Sequence, residues 1–322
     1  MGFNQIGILS IGEMGYHWAR TLGAHGAKVL TFAGDRSEAT QKRAESVGVE
    51  LVPSLEDLVS RADLVVSIVV PSAAKPVAQG VARALTKSGR SDLLYVDANA
   101  ISPMTAEEIG RILTRAQARF VDGCILGGAA KIDRGTVVYV SGEHAKGLEA
   151  LGDLGLCVKV LGTGLTQASA FKVIHAGLTK GLAGLFTELL VGAEKLGLLD
   201  ETLEDYERSY PGIANKVGQS ILSLPLHAGR RSEEMAELRE TYLHYGLNPI
   251  VVPSVEKVLK AIAALKPGEG VGASARAESL VEVIKSFTER GLLRNGRSPK
   301  KASHRKTTQH KKRRTTRRRK LG

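Results

Sequence analysis

The sequence predicts an α/β protein, with a doubly wound, mostly parallel sheet in its first half and an all-helical second half. Three observations carry this reading. An apolar run at 6–11 leads directly into Gly12 and Gly15, followed by Trp18, Ala19 and Leu22 at helical spacing, the signature of strand, tight turn and helix. Short β-branched or apolar runs recur at 28–32, 64–70, 93–96, 119–124, 136–141 and 158–161, with helical patterns between several of them. Beyond Leu165 strand signals stop and long helical periods take over.

The first turn organises the rest. A strand that breaks into a helix through glycines aims free backbone N–H groups and the positive end of a helix dipole at one point, which suits a pyrophosphate. In the G-x-G-x-x-G fingerprint of dinucleotide-binding Rossmann folds, Ser10 takes the place of the first glycine while Gly12 and Gly15 hold the other two. Ser10, Ile11, Gly12, Glu13, Met14 and Gly15 are therefore the expected cofactor loop. After the strand at 28–32 comes A-G-D-R-S, where an acid selects a free ribose 2′-hydroxyl and an arginine selects a 2′-phosphate. Asp35 points to NAD, whereas Arg36 and Ser37 form a guanidinium and hydroxyl clamp for NADP; NADP is preferred and NAD stays open.

A short helix is expected at 55–59, and 64–70 reads as a central parallel strand closed by Pro71. A helical pattern follows at 106–118. Ligands of such sheets bind beyond the carboxyl ends of the strands. The loops at Val70-Pro71, 97–103 and 122–128 should then converge with 12–15 on one cleft, with Val70 and Pro71 beside the dinucleotide.

The second half opens with a helix at 166–196, where Phe171, Ile174, Leu178, Leu182, Leu185 and Leu189 form an apolar stripe expected to be buried. Gly177, Gly181, Gly184 and Gly192 lie in the same helix. Each glycine costs a helix interior about 1 kcal/mol, so their number implies close packing on another backbone, and a homodimer is expected. Lys172, His175 and Thr179 share a different face. Further helices are expected at 201–209, 213–223, 227–245, 251–265 and 276–290, punctuated by prolines. The divisions read from the sequence are 1–162 for the nucleotide-binding domain, 163–290 for a helical substrate and dimerisation domain, and 291–322 for a disordered tail.

Charge separates the tail from the fold. The net charge is +12, yet fifteen Lys or Arg and no Asp or Glu lie between Arg290 and Gly322, so residues 1–289 are near neutral. Cys124 and Cys157 are the only cysteines, which excludes a disulfide framework and fits a reducing compartment. No secretory leader is expected, because strand pattern begins almost at once. The apolar stretch at 182–199 contains Glu188, Glu194 and Lys195 and is not a membrane span. A cytoplasmic location is expected, with the tail clusters K-K-R-R and R-R-R-K also matching nuclear-import signals.

With S-I-G-E-M-G at 10–15, D-A-N-A-I-S-P at 97–103, D-G-C-I-L-G-G at 122–128 and G-T-G-L-T-Q-A-S-A-F-K-V-I-H at 162–175 in order, residues 5–290 resemble the β-hydroxyacid dehydrogenase family, which includes 3-hydroxyisobutyrate and 6-phosphogluconate dehydrogenases. The stretch R-R-S-E-E-M-A-E-L at 230–238 is similar to a subgroup whose C-terminal domain is of unknown function. The resemblance implies an N-terminal Rossmann domain, a helical C-terminal domain and a long joining helix. It maps the family's catalytic lysine onto Lys172, and it implies substrate contacts at Asn99, Gly127, Gly128 and His175. Asn99 and Leu126 stand where the family has serines, and Ala176 where an asparagine follows the lysine, so a different substrate pocket is implied. Arg230 or Arg231 either reaches the cleft or pairs with Glu234. The function expected is an NAD(P)-dependent oxidoreductase acting on a small hydroxyacid or related carbonyl compound, without metal. The alternative is a dehydrogenase fold serving as a nucleic-acid or chromatin binding module, with the tail neutralising phosphates.

Overall fold

The computed structural model describes residues 2–32, 34, 38–267 and 279–294. The sheet half alternates as the sequence implies: β1 (Gln5–Ile8), α1 (Glu13–Ala24), β2 (Lys28–Phe32), α2 (Glu38–Glu45), β3 (Glu50–Val52), α3 (Leu55–Arg61), β4 (Leu64–Ser67), α4 (Pro71–Ser88), β5 (Leu94–Asp97), α5 (Pro103–Arg115) and β6 (Arg119–Leu126). Two further strands, β7 (Val137–Ser141) and β8 (Cys157–Gly162), complete an eight-stranded sheet of order β3-β2-β1-β4-β5-β6-β7-β8. Strands β1 to β6 pair in parallel, and β7 runs antiparallel to β6. The reversal follows from the connection. Only a 3-10 turn at Ala129–Lys131 links β6 to β7, and without a crossover helix the chain returns antiparallel.

Alternation within each strand builds a core on both faces of the sheet. Leu64 and Val66 of β4 join Ile6, Ile8, Trp18 and Leu22 on one face, while Val65 joins Leu58, Leu85, Tyr95 and Phe120 on the other. The sequence reading placed a strand over 64–70, but β4 stops at Ser67. The Val69 N–H is captured by the Asn99 side chain at 2.6 Å, and Pro71 starts α4 at a position where its missing N–H costs nothing. The elements α2, β3 and α4 were not anticipated. Helix α4 buries Ala74, Ala78 and Ala84 beside Val81 and Leu85, so its apolar stripe is built largely from small side chains that read weakly as a period.

The helical half consists of α6 (Gln167–Leu196), α7 (Leu199–Ser209), α8 (Pro211–Leu222), α9 (Leu224–His244), α10 (Val251–Ala264) and α11 (Leu280–Glu289). Their core gathers Val173, Leu190, Ile221, Leu238, Leu259, Ile284 and Phe287. Helix α11 starts on a capping box in which Ser279 Oγ accepts the Glu282 N–H and the Glu282 carboxylate accepts the Ser279 N–H. The predicted 276–290 helix is seen from Leu280; 276–278 lie outside the described residues.

Two expectations change here. The stripe of Ile174, Leu178, Leu185 and Leu189 on α6 is exposed, and the helix buries instead Ala168, Val173, Ala183, Leu190 and Val191. The helix is apolar on two faces, and periodicity does not say which one meets the rest of the chain. Of its glycines, Gly177 and Gly184 pack internally: an added Cβ would lie 2.3 Å from Leu238 and 3.0 Å from Val255. Gly181 and Gly192 face open space. The packed chain also runs past residue 290, because Leu292 is buried in the helical core. Residues 295–322, with most of the basic tail, lie outside the described residues, as do Asp35, Arg36 and Ser37.

Candidate functional site

Strand order dictates where a ligand sits. From β1 the chain goes to β2 and β3 on one side, then crosses to β4 on the other, so the loops after β1 and β4 part and open a crevice at their carboxyl ends. The loop after β1 is Ser10-Ile11-Gly12, with Gly12 as N-cap of α1 and no side chain capping the helix. At Gly15 a Cβ would lie 1.9 Å from the Ser10 carbonyl oxygen, so only glycine lets α1 start this close to the strand. Gly12 has nothing nearer than Ser10 Oγ at 3.8 Å, leaving its outer face open. Uncapped helix N–H groups behind an unobstructed glycine fit a pyrophosphate. Ile11 is buried, Met14 packs on the sheet core, and Glu13 is exposed in the first helical turn.

Two neighbours shape this crevice. Arg43 of α2 donates to the Ile11 carbonyl at 3.3 Å, a residue the sequence reading missed because nothing in its local pattern links it to the glycine turn. Val70 is 65% exposed as the N-cap of α4, with Pro71 as the first helical residue. Asn99 is buried and holds that loop. Its Oδ1 accepts the Val69 N–H, its Nδ2 donates to Ser67 Oγ at 3.0 Å, and its own N–H donates to Asp97 Oδ1 at 3.1 Å. The carboxamide expected to meet a substrate is committed to the protein on both ends.

Across the crevice, β6 and α6 bring together the other predicted residues. The Lys172 amine donates to the Ile125 carbonyl at 2.6 Å. Burial, above all, pushes Lys172 below the usual lysine range, with Lys180 adding to the fall and Cys124 and Glu234 opposing it. Two residues beyond Ile125 lie Gly127 and Gly128, both exposed. Gly127 has φ +139° and a Cβ there would meet Thr136 Oγ1 at 2.2 Å, so this bend requires glycine. His175, one turn after Lys172, is exposed and lowered by partial burial first and then by Lys172, Lys216 and Lys180.

Helix α9 supplies charge to the same side. Glu234 pairs with Lys180 of α6 and with Arg230, which settles Arg230 as an ion-pair partner. Arg231 turns away to Ser220 and Ser223 at the α8–α9 corner. Beneath the site, Asp97 and Asp122 lie opposite each other in register on β5 and β6, both fully buried. Burial raises Asp97 to about 6 and Asp122 to about 7, hydrogen bonds from Asn99 and Ser169 respectively opposing the rise. Asp122 and Ser169 were not singled out in the sequence, because their partnership spans strand and helix far apart in the chain. Among the described residues no cluster of His, Cys, Asp and Glu could hold a metal ion, and no helix is long and apolar enough to cross a membrane.

Comparison with known proteins agrees with the fold. Residues 5–162 match the NAD binding domain of 6-phosphogluconate dehydrogenase, and residues 193–262 match a domain of unknown function (DUF1932). An uncharacterized 28.5 kDa protein of Methanothermus fervidus is 30% identical over 80% of this chain and 98% of its own. The mitochondrial 3-hydroxyisobutyrate dehydrogenase of Bos taurus is 26% identical over 51% of this chain and 50% of its own, so that match spans half the enzyme. A solved conserved protein of unknown function, described as structurally similar to 3-hydroxyacid dehydrogenases, superimposes with TM-score 0.70 at 29% identity, covering 82% of this chain and 99% of its own. The chain therefore belongs to the β-hydroxyacid dehydrogenase family, in the branch that joins a 6-phosphogluconate dehydrogenase-type NAD-binding domain to that C-terminal domain of unknown function.

Proposed function

We propose that the protein is an NAD(P)-dependent oxidoreductase acting on a small hydroxyacid or a related carbonyl compound, with Lys172 as general acid and base. The observation that carries this reading is the Lys172 amine, held by the Ile125 carbonyl at the crevice wall two residues from the exposed Gly127-Gly128 pair. A bound nicotinamide dinucleotide supplies the hydride acceptor or donor. The chain's own residues do the rest. The Gly12–Gly15 turn binds the pyrophosphate, and Asn99 keeps the Val69-Val70 loop in place beside it. Gly127 and Gly128 offer backbone N–H groups to a substrate carboxylate. Lys172, lowered by burial, takes the hydroxyl proton in oxidation and returns it in reduction. His175 stands one helical turn away to contact substrate or a water.

NADP is the proposed preference, carried by Arg36 and Ser37 in the sequence after β2, with Asp35 as the competing signal for NAD. Titration of the protein with NADPH and NADH, followed by a screen of 3-hydroxyacids and 2-oxo or imine compounds, tests the reading. NADPH should bind more tightly, and Arg36→Ala should weaken NADPH by about tenfold or more while leaving NADH within twofold, as expected for loss of a charge-assisted contact. Equal effects on both cofactors would remove phosphate recognition from Arg36.

A homodimer is proposed through the open face of α6. Ile174, Leu178, Leu185, Leu189 and Leu196 are each at least 45% exposed and follow one another with Gly181 and Gly192 along that face, an apolar stripe that a second copy would cover. Sedimentation should show a dimer that Leu178→Glu with Leu185→Glu converts to a folded monomer. A monomeric wild-type protein would end this proposal. The nucleic-acid alternative rests on the basic tail, nearly all of which lies outside the described residues.

A further inference from the structure

Helix α6 is joined to β6 by two side-chain bridges that run in step. Asp122 accepts the Ser169 N–H at 2.7 Å and the Ser169 Oγ–H at 2.6 Å. Three residues further along both elements, Lys172 donates to the Ile125 carbonyl. Ser141 of β7 flanks the first bridge, where its Oγ accepts the Ala168 N–H at 2.9 Å and donates to Asp122 at 3.4 Å. Asp122, Ser141 and Ser169 are all buried.

The N–H groups of the first turn of a helix have no partner within the helix. Here two of them, on Ala168 and Ser169, are met by buried side chains of the sheet rather than by water. The rotation and height of α6 on β6 are thereby set one turn before Lys172. That matters because a lysine side chain is long and flexible, and its amine is better solvated in water than against a protein carbonyl. An α6 that lifts or turns at this end would let the amine leave Ile125 for solvent.

We propose that Asp122 and Ser169 are positioning residues for Lys172, docking the first turn of α6 on β6 so that the amine stays at the Ile125 carbonyl in the crevice. The proposal rests on the reading of Lys172 as the acid and base, but the placement of its amine can be measured without any turnover. The charged or titratable groups around that amine are Cys124 on β6, Lys180 on α6 and Glu234 on α9, with His175 and, beyond it, Lys216 of α8 on the same side. Asp97 lies behind Asp122 on β5.

The test uses the full-length protein with its lysines reductively methylated with ¹³C, the Lys172 resonance being assigned by its loss in Lys172→Arg. In the wild type this resonance should titrate below those of the exposed lysines. In Ser169→Ala and Asp122→Asn it should move up by about half a pH unit or more, as burial is relieved. Ser169→Thr, which keeps the hydroxyl, should restore the wild-type titration. A helical-core variant remote from β6, Ile284→Val, should lower stability without moving it. With an active substrate in hand, kcat should fall about tenfold in Ser169→Ala while NADPH affinity stays within twofold.

A folded Ser169→Ala protein whose Lys172 titrates as in the wild type would overturn the proposal. Ser169→Ala decides the matter even if Asp122→Asn does not fold. If the wild-type protein turns over nothing, the enzymatic reading fails, while the titration still decides whether this dock places the amine.

Discussion

Replacing Lys172 by Met is expected to lower turnover by about 10²–10⁴-fold, the range for loss of a positioned general acid or base. NADPH affinity should be retained, because Lys172 approaches β6 through the Ile125 carbonyl, and the glycine turn that would hold the dinucleotide follows β1, with β4 and β5 between the two strands. Methionine keeps the length and the apolar stem of the side chain, so the variant should fold. The burial of Lys172 places its ionisation below the usual lysine value, and the role of the amine sets the sign of the pH dependence. Oxidation needs the neutral amine, so the rate should rise with pH through that ionisation and level off above it. Reduction needs the ammonium, so its rate should fall over the same interval. Both limbs should vanish in Lys172→Met. Stopped-flow and steady-state rates across pH check this, and an active variant with an unchanged profile would pass the proton to another group, with His175 next in line.

Gly15→Ala carries the other large expected effect. Its Cβ would lie 1.9 Å from the Ser10 carbonyl oxygen, a backbone atom that cannot swing away as a side chain would. The turn must open or α1 must shift, costing about 1–3 kcal/mol of stability and displacing the N–H groups aimed at a pyrophosphate. Dinucleotide affinity should fall by about 10²-fold or more, a loss of roughly 3 kcal/mol. Gly12→Ala makes the comparison informative. Its Cβ meets nothing closer than 3.8 Å in the chain itself, so the unliganded protein should keep its melting temperature while the open face that the ligand needs is narrowed. Fluorescence titration with NADPH and thermal melts of the two variants separate a turn that binds from one that merely folds. Wild-type affinity in a folded Gly15→Ala protein would place the dinucleotide elsewhere.

Local patterns determined much of this protein from the sequence alone. The run at 6–11 followed by Gly12 and Gly15 specifies a strand, a turn and a helix, since each step depends on neighbours within a few residues. Pro211 and Pro225 likewise marked the breaks before α8 and α9, because proline at the start of a helix is a local preference. The motif around Lys172 singles that residue out in the sequence, and its role remains the proposal made above. What only the tertiary structure decided involves residues distant in the chain. Which face of α6 is buried depends on what packs against it, and Gly177 against Leu238 could not be read from a helical period that fits two faces equally. Asn99 reads as a substrate contact until Val69 and Ser67, thirty and thirty-two residues away, are found to take both ends of its side chain. Arg43 at Ile11, and Asp122 at Ser169 across forty-seven residues, are meetings made by the order of strands. A sequence records the periodicity and chemistry of each segment, but hydrogen bonds between segments exist only after the sheet has chosen its neighbours, and that choice gives Lys172 its carbonyl and its burial.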